Sequence, residues 1–172
     1  MSANQQHLAF LSLGSNLKPE QHLPAAILQL RELGTVLKTS RVWQSAPYGN
    51  ANQPDYCNAA VLLRTTYSPV DLKNRLRTIE HELGRRRDPT QRYAPRTIDI
   101  DLSLYDDLLL DCDGIRVPDP ELFHRPFVVG PLAELSSEYV VPGNGETLSQ
   151  IANQLGLQSL HHRPEIILEL FS

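Results

Sequence analysis

The chain has 172 residues, 41% of them hydrophobic and 21% charged, the composition of a soluble globular protein built round one core. A net charge of −4 argues against a dedicated nucleic-acid binder, and no apolar run reaches membrane-spanning length, so neither nucleic acid nor membrane is expected as a partner. Residues 1–7 lack the basic-then-apolar layout of a secretory leader, and Cys57 and Cys112 stand alone; a cytoplasmic protein with both thiols buried as small hydrophobes is expected.

No low-complexity segment, repeat or linker divides the chain, so residues 1–172 are read as a single domain. The run LAFLSL at 8–13, bounded by Gly14-Ser15-Asn16, predicts a buried strand ending in a turn. A helix follows, opening near Pro19 or Pro24 and running to Gly34. Residues 35–43 read as one strand. The stretch SAPYGNANQPD at 45–55 is a loop too long for a simple hairpin connection. A strand over 57–66 leads into the clearest helix of the sequence. Ser68 is its N-cap, Pro69 opens it, Asp71 completes a capping box, and Gly84 stops it. Leu72, Leu76, Ile79 and Leu83 give it one apolar face. The loop 85–96 precedes a strand over 97–105. Beyond it, a short strand at 108–110, a turn at Val117-Pro118 and short helices within 126–135 and 147–155 are expected. The order of the first hundred residues favours an α+β ferredoxin-like sandwich, with helices packed on one face of a mainly antiparallel sheet.

Asp99 and Asp101 carry the sharpest chemical signal. On a strand they share a face with Ser103 and Tyr105, opposite Ile98, Ile100, Leu102 and Leu104, and stand about 6–7 Å apart. Such a pair suits Mg²⁺ with phosphate oxygens completing its shell; alone, it equally suits a solvated outer face. Arg85, Arg86, Arg87, Arg92 and Arg96 precede it in one loop, opposed there only by Asp88. A cationic loop on an acidic protein fits a small polyanion, and arginines beside a metal pair supply the positioning and neutralisation that phosphoryl transfer requires. At least one of Arg85–Arg87 can instead be a solvated residue favoured by the helix dipole. At the exit of the 45–58 segment, Asn58 can both donate to and accept from a heterocycle edge, and Tyr56 offers a ring face. On those residues alone, an Asx turn and a core tyrosine is the better reading.

Leu13-Gly14-Ser15-Asn16-Leu17, Gln53-Pro54-Asp55-Tyr56-Cys57-Asn58-Ala59 and Arg92-Tyr93-Ala94-Pro95-Arg96-Thr97-Ile98-Asp99-Ile100-Asp101 occur in that order, followed by Val117-Pro118 and Arg125-Pro126-Phe127. Over roughly residues 8–155 the chain resembles the 6-hydroxymethyl-7,8-dihydropterin pyrophosphokinases. The R-x-x-P-R-x-x-D-x-D run is the specific part of that likeness. The resemblance implies a ferredoxin-like core with mobile loops, ATP as co-substrate, two Mg²⁺ ions, and transfer of diphosphate to 6-hydroxymethyl-7,8-dihydropterin in folate biosynthesis, by a monomer. It implies that Asp99 and Asp101 bind the metals and that Arg85 and Arg96 stabilise the migrating charge. Arg87 and Arg125 would assist on the phosphates, and Tyr93, in the place of the usual tryptophan, would sit on the lid over ATP. The pterin would lie between Tyr56 and Phe127, its edge read by Asn58 and by the backbone around Ser45, Ala46 and Pro47.

Three departures from the family pattern stand out. Asp119 occupies the place of a histidine, Ser103 that of an aliphatic residue, and the arginine loop is one residue longer, so Arg86 competes for the place of Arg85 or Arg87. A carboxylate at 119 would repel a triphosphate unless it faces away or a cation such as Arg116 or Arg125 neutralises it. Two other functions compete: a non-catalytic pterin- or nucleotide-binding relative, and a metal-dependent phosphohydrolase using the same carboxylates. His161-His162 is no metal pair, because adjacent residues do not share a face. The tail 158–172, with Ile166, Ile167, Leu168, Leu170 and Phe171, is expected to pack on the core or a partner.

Overall fold

The computed structural model describes residues 5–168. Three long strands lie side by side in the sheet: β1 (His7–Ser15), β4 (Tyr56–Thr65) and, at the edge, β5 (Asp99–Tyr105). Between them run helix α1 (Pro19–Leu30), strands β2 (Thr35–Thr39) and β3 (Trp43–Ser45), and helix α2 (Pro69–Glu82). A ribbon of β6 (Leu110–Cys112) and β7 (Ile115–Val117) follows, then one turn of 3-10 helix at Pro120–Phe123. The chain continues through helices α3 (Pro126–Leu135) and α4 (Leu148–Leu155) to a two-residue strand, β8 (His161–His162). The sheet order is β5-β1-β4-β3-β8, with β2 also on β4, and every pairing is antiparallel.

The sheet is apolar on both faces, so helices cover both. Ala9, Leu11, Leu13, Ala59, Val61 and Leu63 pack with Leu23, Ile27 and Leu30 of α1 and Leu72, Leu76 and Ile79 of α2. The alternate residues Phe10, Ala60 and Leu62 pack with Val129, Leu132 and Leu135 of α3 and with Leu148 and Ile151 of α4. The α+β ferredoxin-like expectation is met by the first layer. The second layer is additional: α3 and α4 lie on the face read from sequence as uncovered.

Three local expectations are corrected. Residues 35–43 are two strands rather than one. Ser40 breaks them: its N–H donates to the Ala60 carbonyl (2.9 Å), while its hydroxyl accepts from the Ala60 N–H (2.8 Å) and donates to the Arg41 carbonyl (2.7 Å). A side chain thus takes a ladder position, and β2 and β3 meet β4 end to end. The alternation read for 98–105 also fails after Leu102. Phe10 pairs with Leu104 and Leu11 with Leu102, which leaves Ser103 as a bulge residue. Leu104 therefore joins the α3 face and Tyr105 the α1/α2 face. Finally, Cys57 is buried as expected but Cys112 is exposed, because the β6–β7 ribbon leaves it facing solvent.

The ends of α2, α3 and α4 follow the sequence closely, and the C-terminal end of α1 does not. Ser68 caps α2 by accepting from the Asp71 N–H (3.2 Å), but the Asp71 carboxylate accepts from the Ser68 hydroxyl (2.8 Å) instead of closing the box on the backbone. α1 stops at Leu30, short of Gly34. Gly34 serves another need: a Cβ there would lie 2.1 Å from the Arg64 carbonyl oxygen. Thr147 and Gln150 form a complete capping box on α4. In the tail, Ile166 and Leu168 pack on the α1/α2 core and Ile167 is exposed, whereas Leu170 and Phe171 lie outside the described residues.

Candidate active site

The α3 layer covers only part of its face of the sheet. At the uncovered end, Ser12 and Gly14 of β1, Tyr56 and Asn58 of β4, and Asp99 and Asp101 of β5 line a cavity of about 340 Å³. Its rim comes from three segments. Ser45 ends β3, with Ala46 and Tyr48 on the loop after it; Arg92, Tyr93 and Arg96 lie on the arginine loop; and Asp119, Glu121, Arg125 and Phe127 lie around the start of α3. Arg92 and Arg96 also line a second cavity formed within the arginine loop by Arg85, Arg86 and Arg87.

The carboxylates are held differently. Asp99 accepts from Arg85 and, at 2.7 Å, from Arg96. Burial pushes its carboxyl up, but the two guanidinium groups outweigh burial and hold it below its usual value. Asp101, among the described residues, makes no ion pair with an arginine. Burial and the neighbouring Asp99, Asp119 and Glu80 charges raise it to about 8, against the pull of Lys73. Glu80 of α2, 2% exposed, anchors the cluster from behind: it accepts from Arg85 (2.8 Å), from Arg87 (2.6 Å) and from the Ile100 N–H (2.8 Å). Burial raises its carboxyl as well, against the pull of those donors.

Asn16 joins the loops. Its side-chain oxygen accepts from the Arg96 N–H (2.8 Å), and its amide donates to Gln53 (2.8 Å) and to the Pro54 carbonyl (3.1 Å). The backbone N–H groups of Asn16 and Leu17 both reach the Arg96 carbonyl. The loop after β3 and the arginine loop also touch at their tips. The rings of Tyr48 and Tyr93 lie edge to face at 5.9 Å, and the Arg125 guanidinium stands 3.7 Å over Tyr48. Gly49, at φ +87°, makes this possible, since a Cβ there would come within 2.7 Å of the Tyr93 ring.

Residues 10–137 match the model of the 7,8-dihydro-6-hydroxymethylpterin-pyrophosphokinase family. The chain belongs to this family. It is 35% identical over 158 residues to the 2-amino-4-hydroxy-6-hydroxymethyldihydropteridine pyrophosphokinase of Haemophilus influenzae, covering 90% of this chain and 94% of that one. The Synechocystis enzyme of the same name is 36% identical over 153 residues, covering 88% of this chain and 77% of its own length. A Plasmodium falciparum HPPK-DHPS triple mutant has the same fold, at TM-score 0.70 and 15% identity. The match covers 88% of this chain but only 44% of that longer one.

Most of the residues singled out by the pyrophosphokinase motifs meet in this one region. Ser45, Ala46, Tyr56, Asn58, Tyr93, Arg96, Asp99, Asp101, Arg125 and Phe127 line the main cavity; Pro47 does not. Arg85 pairs with Asp99 and Glu80, Arg87 pairs with Glu80, and both line the arginine-loop cavity, whereas Arg86 is exposed and makes no ion pair with either carboxylate. Asn58 differs from expectation. Both its amide hydrogens are committed to β3, to the Trp43 carbonyl (3.0 Å) and the Ser45 hydroxyl (2.9 Å), so it offers the cavity an acceptor only.

The departures from the family pattern also find physical reasons. Ser103, buried in the bulge, shares a hydrogen bond of 2.7 Å with Ser12, so each hydroxyl satisfies the other. Asp119 does not face away and is not paired with an arginine: Arg116 lies on Asp111 (3.4 Å) and Arg125 on Glu121 (2.9 Å). Asp119 instead caps the 3-10 turn by accepting from the Glu121 N–H (3.0 Å), and its own N–H donates to the Ser103 carbonyl (2.9 Å). Burial raises its carboxyl. Glu80, Asn16, Tyr48 and Ser12 were missed by sequence reasoning. Only Asn16 carried a usable signal, as the last residue of the Gly14-Ser15-Asn16 turn.

Proposed function

We propose that the protein transfers the terminal diphosphate of ATP to the hydroxymethyl group of 6-hydroxymethyl-7,8-dihydropterin, a step of folate biosynthesis, as a cytoplasmic monomer using Mg²⁺. The observation that carries this reading is the juxtaposition, in one cavity, of an aromatic-walled half and a charged half. Tyr56 and Phe127 provide ring faces for a flat heterocycle, and the Asn58 oxygen accepts from its N–H edge. The same cavity is lined by Asp99 and Asp101 on that sheet face and by Arg92, Arg96 and Arg125 on the segments around it. The substrate hydroxyl oxygen forms a bond to the β-phosphorus, the bond from the α–β bridging oxygen to that phosphorus breaks, and AMP departs with the bridging oxygen. The hydroxyl proton passes to solvent.

The donor set suits Mg²⁺. Among the described residues no group of three or more His, Cys, Asp or Glu side chains forms a metal cage. Mg²⁺ is commonly bound by one or two carboxylates with substrate phosphates, and Asp99 and Asp101 supply that number. Burial and the neighbouring carboxylates raise the Asp101 carboxyl, so a divalent cation held by Asp99 and Asp101 would relieve charge there. When bound, the metal neutralises phosphate charge and polarises the phosphorus–oxygen bonds. Arg96 and Arg85 already hold Asp99 and stand ready to exchange that carboxylate for phosphate oxygens, which they grip in the same planar geometry. The Asn16 ties and the Tyr48–Tyr93 contact give the arginine loop a path to close over the phosphates and exclude water.

Product analysis after incubation with ATP, Mg²⁺ and hydroxymethyl-dihydropterin tests the proposal. AMP and pterin diphosphate in equal amounts are expected. ADP or free phosphate would point to a kinase or a hydrolase, and ligand binding without turnover to a non-catalytic relative. The retention of Asp99, Asp101 and Arg96 in one cavity weighs against that last reading.

A further inference from the structure

Residues 157–168 lie beyond the matched family segment and fold back over the sheet edge next to the aromatic half of the site. β8 pairs with β3, Trp43 opposite His162 and Gln44 opposite His161, and the next N–H, that of Arg163, donates to the Val42 carbonyl (2.9 Å). The Arg163 side chain then turns under β3. Its Nη1 donates to the Gln44 side-chain oxygen (2.9 Å) and lies 3.5 Å from the Cys57 sulfur, while Nε is taken by Glu165. Gln44 passes the link on: its amide donates to the Asp55 carboxylate (2.7 Å). One guanidinium thus ties the tail to both ends of the 46–55 loop, at the last residues of β3 and just before β4.

The register makes this link relevant to the site. Gln44 and Cys57 are opposed on the β3–β4 ladder, and the flanking pairs are Trp43 with Asn58 and Ser45 with Tyr56. Ser45, Tyr56 and Asn58 line the cavity, so Gln44 and Cys57 lie on the reverse of the same wall. β3 has only three residues and follows a break at Ser40–Val42. A strand so short specifies its register weakly, and a slip of one residue would turn Ser45 away from the cavity.

We propose that Arg163 is a positioning residue for the heterocycle half of the site: through Gln44 it locks β3 in register on β4 and closes the base of the 46–55 loop, holding Ser45 and Tyr56 in place. The proposal rests on the pterin reading above. A tail that merely covered the sheet edge would contribute stability and nothing selective.

The test uses the full chain with Arg163→Ala, Arg163→Lys, Gln44→Leu and the Arg163→Ala/Gln44→Leu double variant. Pterin binding is titrated beside a non-hydrolysable ATP analogue, KM is measured for each substrate, and stability is followed by urea unfolding. Arg163→Ala is expected to raise the pterin Kd and KM about 5- to 10-fold, the equivalent of one lost hydrogen bond, with ATP-analogue affinity and saturated kcat unchanged. Arg163→Lys, which keeps a donor, should fall between it and the parent. The double variant should be no weaker than the worse single variant by more than about twofold, because both remove one link. An unchanged pterin Kd in Arg163→Ala, or pterin and ATP affinities falling together, overturns the proposal. A parent protein that binds pterin but releases no AMP refutes the transfer reading alone, and the Arg163 inference is then decided on Kd; a parent that binds no pterin refutes both.

Discussion

Asp99, Asp101 and Asp119 crowd one end of the cavity in three different settings. Asp99 is ion-paired with Arg85 and Arg96, so removing it strips Arg85, whose side chain is 9% exposed, of one of its two anions. Asp99→Ala should therefore abolish turnover and also cost about 1–3 kcal/mol of stability, since Glu80 still compensates in part. Asp101→Asn should abolish turnover and Mg²⁺ binding while leaving stability at neutral pH within about 0.5 kcal/mol of the parent, because a carboxyl raised to about 8 is already largely neutral there and Asn is nearly its isostere. Urea unfolding and calorimetric Mg²⁺ titration in the presence of an ATP analogue separate the two; equal stability losses would place both carboxylates in the same role. Asp119 is constrained by its cap on the 3-10 turn. Asp119→Asn keeps the cap and removes a charge, so ATP-analogue affinity should rise at unchanged stability. Asp119→His loses the cap and about 0.5–2 kcal/mol with it, whatever it adds toward phosphate. Titration of the analogue against both variants, with thermal unfolding alongside, checks the split.

At the level of elements, two serines shape the sheet round the site. Ser40 interrupts the second strand of the sequence and lets β3 begin afresh, and Ser103 bulges β5 so that Leu104 turns toward α3 while its carbonyl receives the Asp119 N–H. The bulge therefore links the strand carrying Asp99 and Asp101, the proposed metal ligands, to the turn carrying Asp119. Ser40→Ala would leave the buried Ala60 N–H without its acceptor, a cost of about 1–3 kcal/mol. Native-state hydrogen exchange should show faster exchange at Ala60 than at the neighbouring β4 amides. Unchanged protection there would mean that β2 and β3 can merge into the continuous strand that the sequence suggests.

Two phenols beyond the site, Tyr105 buried and Tyr139 partly buried, link parts of the whole molecule. The Tyr105 hydroxyl donates to the Tyr67 carbonyl (2.7 Å) and that of Tyr139 to the Asp106 carbonyl, tying the strand that carries the carboxylates to the layers on either side. Burial, then nearby aspartate charge, pushes both phenols up to about 12. Their ordinary value is near 10, so the fold favours the protonated form. Their contribution to stability is complete below about pH 10 and is lost as pH rises toward 12. Urea midpoints should fall across that window in step with tyrosinate absorbance, and Tyr105→Phe should weaken the dependence. A midpoint independent of pH between 10 and 12 would contradict these phenolic contacts.

The chain's local patterns were enough for the helix boundaries at Ser68 and Gly84, the long strands and the Asp99/Asp101 face, because caps and period-two alternation are short-range properties. The arginine-loop motif was likewise enough to indicate the family and its phosphate chemistry. What no window of sequence contained was the partnership between distant residues. Glu80 reads as one more polar helix residue until Arg85, Arg87 and the Ile100 N–H converge on it. Asn58 reads as donor and acceptor until β3 takes both its hydrogens. Arg163 gains its proposed role only when the tail returns to the β3 edge, 119 residues along the chain from Gln44. Hydrogen bonds of this kind are selected by geometry formed after the layers pack, so they are decided by the tertiary structure and not by any local propensity.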